Sequence, residues 1–189
     1  VDPLRRQGWL VASVDAYGTG SARAWRDTSD RFFTTYNRTD DALRVQDVLT
    51  ALAWLKTRPG VRSVSLVGLD RAGLWCLLAQ ALAPGLDAVV ADADGFASES
   101  DASYLGSISI PLLRSVGGFE TALTLGLGKR LVVHGTAGAF DTTAAEASAR
   151  AVSGRLEALR ETLPDASVVA WLVGDSQVRR TSGGVLSLN

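Results

Sequence analysis

The segment Ser65-Leu66-Val67-Gly68-Leu69-Asp70-Arg71-Ala72-Gly73 constrains the fold more than any other. A short apolar run stops at Gly68, and Ala72 and Gly73 lead directly into a long apolar stretch. A strand that becomes a helix across so tight a turn opens a βα unit. Repeated units of this kind place their strands in parallel, with helices covering the sheet.

The rest of the chain repeats the pattern. Apolar runs at 9–15, 64–67, 86–91, 130–134 and 167–173 read as five strands, the first of them buried. Thr39 and Asp40 open a helix whose Val45, Val48, Leu49, Leu52 and Leu55 form one stripe, and Pro59-Gly60 stops it. Further helices are expected at 72–82, 119–127 and 143–163, the last from a capping-box match at Thr143-Ala144-Ala145-Glu146. Residues 21–38 lack a period and read as an irregular excursion. Residues 92–118, rich in Ser, Gly and Asp, are a candidate cap or lid over the strand ends. The tail 174–189 is weakly patterned. The expected class is α/β, one domain over 1–189, with a mostly parallel sheet and helices on both faces.

Composition sets limits on partners. A net charge of -1 carries no basic footprint for nucleic acid, and no apolar run reaches membrane-spanning length. The single cysteine, Cys76, sits in the apolar run Leu74-Trp75-Cys76-Leu77-Leu78 and reads as an inert core thiol. No Cys/His cluster suggests a metal. The chain has no methionine, and we expect it to be a piece of something longer.

A second set of residues carries a family resemblance. Tyr36-Asn37-Arg38-Thr39, Arg44-Val45-Gln46-Asp47-Val48-Leu49, Val67-Gly68 with Ala72-Gly73-Leu74-Trp75, Ile110-Pro111 with Gly118-Phe119, and Val133-His134-Gly135 with Phe140-Asp141-Thr142 resemble the α/β-hydrolase fold. The similarity is closest to large bacterial proteins of the acetyl xylan esterase type and covers roughly residues 8–173. It implies a nucleophile elbow, G-x-S-x-G, at 68–72. Asp70 stands where the serine would be, and the backbone N–H of Arg71 would form half of an oxyanion hole. Gly138 stands where the acid is expected. Gly174-Asp175-Ser176-Gln177 stands where the histidine is expected. The resemblance further implies three strands upstream of 9–15, one of which would lie between the strands at 9–15 and 64–67. Without it, those two strands either leave open edges or pair directly. It implies a secreted or periplasmic setting.

Each candidate site residue has two readings. Asp70 is either an aspartate nucleophile forming an ester intermediate, or an N-cap for the following helix. His134, the only histidine, is either a general base or the end of a strand. Asp92, Asp94 and Asp141 are candidate displaced acids or turn and cap residues. Asn37-Arg38-Thr39 matches a glycosylation sequon. Gly18-Thr19-Gly20 and Gly68 to Gly73 are imperfect phosphate loops, so a Rossmann-like nucleotide domain is a third function class. The leading expectation is a degenerate, non-catalytic domain with a scaffolding, binding or assembly role. Its partner would be the missing N-terminal part of the same protein or another subunit. The alternative is an active ester hydrolase that uses Asp70, with a small ester or carbohydrate ligand. No cofactor is expected.

Overall fold

The computed structural model describes residues 2–23, 25–174 and 183–188. Six strands form one parallel sheet: β1 (Leu10–Val14), β2 (Ser63–Gly68), β3 (Ala88–Asp92), β4 (Arg130–His134), β5 (Arg155–Ala158) and β6 (Gly183–Leu188). Their order is β1-β6-β2-β3-β4-β5. The helices are α1 (Asp2–Arg6), α2 (Phe33–Tyr36), α3 (Asp40–Lys56), α4 (Ala72–Leu82), α5 (Asp101–Ser107), α6 (Gly118–Leu125), α7 (Thr143–Ala151) and α8 (Asp165–Gly174).

Period-two alternation divides the core between the two faces. Leu66, Val89, Ala91, Leu131 and Val133 face a large cluster with residues of α3, α4, α6 and α7. Val67, Ala88, Val90 and Val132 face a smaller one with Leu4 of α1 and Val168 and Leu172 of α8. Helices therefore cover both faces, as the alternating sequence pattern predicts. At the heart of the larger cluster, Phe96 and Phe119 meet edge to face with ring centroids 5.2 Å apart, and Tyr104 and Phe140 close the group. Residues 92–118 contribute Phe96, Tyr104 and Ile108 to this core.

Several boundaries differ from the sequence reading, each for a physical reason. Residues 167–173 belong to helix α8, not to a strand. Their apolar run has no period of its own, but Pro164-Asp165 at its head is a helix start, and the buried Val168 and Leu172 are four apart. The helix beginning at Thr143 ends at Ala151 rather than near 163. Ser153 takes φ +53° ahead of Gly154, and this turn hands the chain to β5. The capping box does not form. Thr142 is the N-cap, its hydroxyl bonds Glu146 at 2.6 Å, and Asp141 accepts the Thr143 N–H at 2.9 Å. The first strand is a half-exposed sheet edge, with Leu10 47% exposed, rather than a buried strand.

The largest difference lies in the tail. The strands β1 and β2 neither pair directly nor leave a gap between them. β6 lies there, with Val11 opposite Val185 on one side and Ser65 opposite Val185 on the other. Residues 183–188 carry little pattern because a six-residue strand held on both edges by backbone bonds needs little side-chain signal.

Candidate functional site

The carboxyl ends of β2, β3, β4 and β5 lie along one rim, and the candidate residues sit there. The turn after β2 is tight and strained. Asp70 takes φ +48°, in the left-handed region. The glycines on either side let the backbone pack close. A Cβ on Gly68 would stand 2.6 Å from the Gly73 Cα, and one on Gly73 would stand 2.0 Å from the Asp92 carbonyl oxygen. Asp70 does not act as a side-chain cap. The N-cap of α4 is Arg71 without a side-chain cap bond, and Asp70 contributes its carbonyl, which accepts the Gly73 N–H at 3.0 Å. The Asp70 side chain is exposed. Arg71 follows with helical dihedrals (φ -56°, ψ -26°) at the head of α4.

His134 is 0% exposed. It ends β4 directly beside Asp92 in the register of β3. The Leu163 N–H donates to its Nδ1 at 3.3 Å, which makes Nδ1 the unprotonated nitrogen. Nε2 then carries the proton of the neutral ring, and it is buried without a partner among the described residues. Asp92 Oδ2 lies 3.8 Å from Nδ1, too far for a hydrogen bond, and Asp92 Oδ1 accepts the Asp94 N–H at 2.8 Å. Burial pushes the His134 pKa below its ordinary value, and the neighbouring Asp92 carboxylate pulls it partly back.

This shift has a consequence for stability. The folded pKa lies below the unfolded one, so at mildly acidic pH the unfolded chain binds the proton first. The contribution is complete above the unfolded value of about 6.5 and falls away as the pH drops toward the folded value. Thermal melts between pH 8 and pH 5 should show a falling melting temperature below about pH 6.5. The carboxylates with lowered pKa, Asp15, Asp27 and Asp141, act only in a more acid window.

The chain leaves β4 toward α7 on one face and leaves β5 toward α8 on the other. A divergence of this kind opens a crevice in many α/β sheets. Here the two loops zip together. Gly135 N–H donates to Glu161 O at 2.9 Å, Thr136 N–H to Leu159 O at 3.2 Å and Ala137 N–H to Arg160 O at 2.9 Å. The Arg160 guanidinium lies over Gly138, where a Cβ would stand 2.8 Å from it. The position expected for an acid is thus covered by an arginine.

The candidates do not converge. The β2 and β4 backbones are separated by β3, roughly 10 Å apart, and no hydrogen bond or ion pair joins Asp70 to His134 among the described residues. Asp94 is exposed at φ +50°. Asp141 stands one residue before the N-cap Thr142, where its carboxylate accepts the Thr143 N–H and its own N–H donates to Ser98 Oγ at 2.8 Å. Asp175 and Ser176, in the loop expected to carry a histidine, lie outside the described residues. With 167–173 helical, the loop after the last strand of the β2–β5 run is 159–164, which holds Arg160, Glu161 and Thr162.

The Gly18-Thr19-Gly20 loop closes on its own carboxylate. Asp15 Oδ2 accepts from Ser21 N–H at 2.9 Å and from its hydroxyl at 2.5 Å, and a Cβ on Gly20 would meet Asp15 Oδ1 at 2.2 Å. A phosphate there would face this negative charge. No cluster of three metal-ligating side chains occurs among the described residues, and no described helix is long and apolar enough to cross a membrane. Cys76 is fully buried, which raises its thiol pKa far above the ordinary value.

One constellation was missed from sequence. Asp41, buried at the start of α3, bonds Arg44 at 2.9 Å, accepts Trp75 Nε1–H at 2.9 Å and accepts Ser109 N–H at 2.9 Å. Arg44 also stacks over the Trp75 ring and donates Nε–H to Tyr17 O. The signal was present. Asp41 lies four residues before Val45, on the buried stripe of the helix, where a carboxylate requires partners.

No protein-family model matches the chain, and no curated protein or solved structure matches it.

Proposed function

We propose that this chain is a non-catalytic α/β-hydrolase-type domain that works as a scaffold or binding unit of a larger assembly. The observation that carries this reading is the state of His134. A general base needs a free nitrogen at the surface of a site. This imidazole is wholly buried, its lone-pair nitrogen accepts the Leu163 N–H, and the crevice beside it is closed by the zipped 135–137 and 159–161 segments. Among the described residues no hydrogen bond or ion pair joins the exposed Asp70 side chain to a base or an acid.

A second reading keeps one specific support. The left-handed Asp70, exposed between close-packed Gly68 and Gly73, has the geometry of an aspartate nucleophile. An ester hydrolase acting on small or carbohydrate esters would use it. Hydrolysis of p-nitrophenyl acetate by the folded protein, beside Asp70→Asn, separates the two. We expect the same background rate from both proteins. Loss of measurable turnover in Asp70→Asn would establish the hydrolase reading instead. Because Asp70 is exposed and its side chain caps nothing, the same variant should change stability by no more than about 0.5 kcal/mol in urea unfolding.

A further inference from the structure

We propose that His134 is an acid-sensitive latch: it holds the β5–α8 loop through the Leu163 N–H while neutral, and releases that loop when it takes up a proton. The geometry allows only one of two states. A neutral ring offers the Nδ1 lone pair to Leu163 at 3.3 Å. A protonated ring has a hydrogen on Nδ1, so two donors would face each other and the bond is lost. The new Nδ1–H has a ready acceptor. Asp92 Oδ2 stands 3.8 Å away, and a shift of about 1 Å would bring it into charge-assisted hydrogen-bond range. Asp92 is itself held, since its other oxygen accepts the Asp94 N–H. The proton therefore exchanges a loop contact between β4 and the start of α8 for a buried ion pair between β4 and β3.

Nε2 carries its hydrogen without a partner in both states, so the exchange between them is decided at Nδ1, where Leu163 and Asp92 compete. The other charged groups of the surrounding loops are exposed or engaged elsewhere. Arg160 lies on Gly138 and donates to Ala137 O, while Asp94, Glu161 and Asp165 are exposed. Among the described residues, Asp92 is the carboxylate that comes within 4 Å of the His134 Nδ1. The three backbone bonds that join 135–137 to 159–161 do not titrate, so the change is confined to residues near Leu163. The latch does not depend on whether Asp70 is catalytic, and its test uses no turnover.

A single histidine makes the test direct. Histidine-selective 15N spectra of the intact protein should show the Nε2–H tautomer at pH 7.5. Amide exchange, expressed as protection relative to the unstructured rate, should fall roughly tenfold at Leu163 as the ring titrates, with Gly135 and Ala137 unchanged. His134→Asn places an uncharged acceptor where Nδ1 stands and should abolish the pH dependence of Leu163 protection. An Nδ1–H tautomer at pH 7.5, or Leu163 protection unchanged through the titration, would overturn the latch. If His134→Asn does not fold, the wild-type spectra and exchange alone decide.

Discussion

Gly73→Ala should be among the most damaging single substitutions in the chain, lowering stability by about 3 kcal/mol or more in urea unfolding followed by far-UV circular dichroism. The added methyl would stand 2.0 Å from the Asp92 carbonyl oxygen, 2.5 Å from its nitrogen and 2.7 Å from its carbonyl carbon. These are backbone atoms of a central strand, and none can rotate aside. Relief requires α4 to lift from β3, which would open the packing of Leu74 and Leu77, both at most 1% exposed. The displacement would also reach Asp92, the neighbour of His134, so Leu163 protection should fall in whatever fraction remains folded. Gly106→Ala is the control. Gly106 lies in helix α5 with nothing within 4 Å of its added methyl, and the change should stabilise by about 0.5–1 kcal/mol. A Gly73→Ala protein as stable as the parent would mean that the elbow is not packed on β3 as described.

The second large effect is expected at Asp41. Asp41→Ala leaves the Trp75 Nε1–H, the Ser109 N–H and the Arg44 guanidinium without the acceptor they share. Removing one member of a buried, hydrogen-bonded charge pair costs about 3–5 kcal/mol, most of it from the partners left behind. Asp41→Asn retains one carbonyl oxygen and should cost less, about 1–3 kcal/mol. The two variants separate charge from hydrogen bonding. The effect should also be regional. Ser109 belongs to the segment between β3 and α6, and Arg44 holds Tyr17 O after β1, so exchange protection near 17–18 and 108–110 should fall ahead of the sheet. Equal loss in both variants would mean that the charge of Asp41, rather than its acceptor geometry, holds the network.

What the sequence disclosed follows the strength of each local signal. The βα turn between β2 and α4 was legible because its glycines, its polarity switch and the long apolar helix after it all agree. The α3 stripe was legible for the same reason, and Thr39 does cap it, accepting the Ala42 N–H at 3.4 Å. The segments at 143–174 were misread because an alanine-rich helix and an apolar seven-residue run carry weak period information, while Ser153-Gly154 and Pro164-Asp165 carried the boundaries. That one misreading also misplaced the expected histidine loop. The roles of the rim residues were not readable at all. Whether Asp141 is an acid or a cap, and whether His134 is a base or a buried strand end, depends on loops brought together from β3, β4 and β5. No local pattern states that Leu163 will reach His134 or that Arg160 will cover Gly138.

The position of β6 has a consequence for how the sheet is completed in time. Among the described residues β1 has one neighbour, and that neighbour is β6, far along the sequence. During synthesis β2, β3, β4 and β5 can assemble in the order in which they appear, each beside the one before it. β1 must wait, tethered through α3, until β6 has been made. Contacts of such long sequence separation form slowly and late. For that interval the β1-facing edge of β2 is an unfilled slot into which any extended segment with free backbone groups could fit, including the equivalent strand of a neighbouring nascent chain.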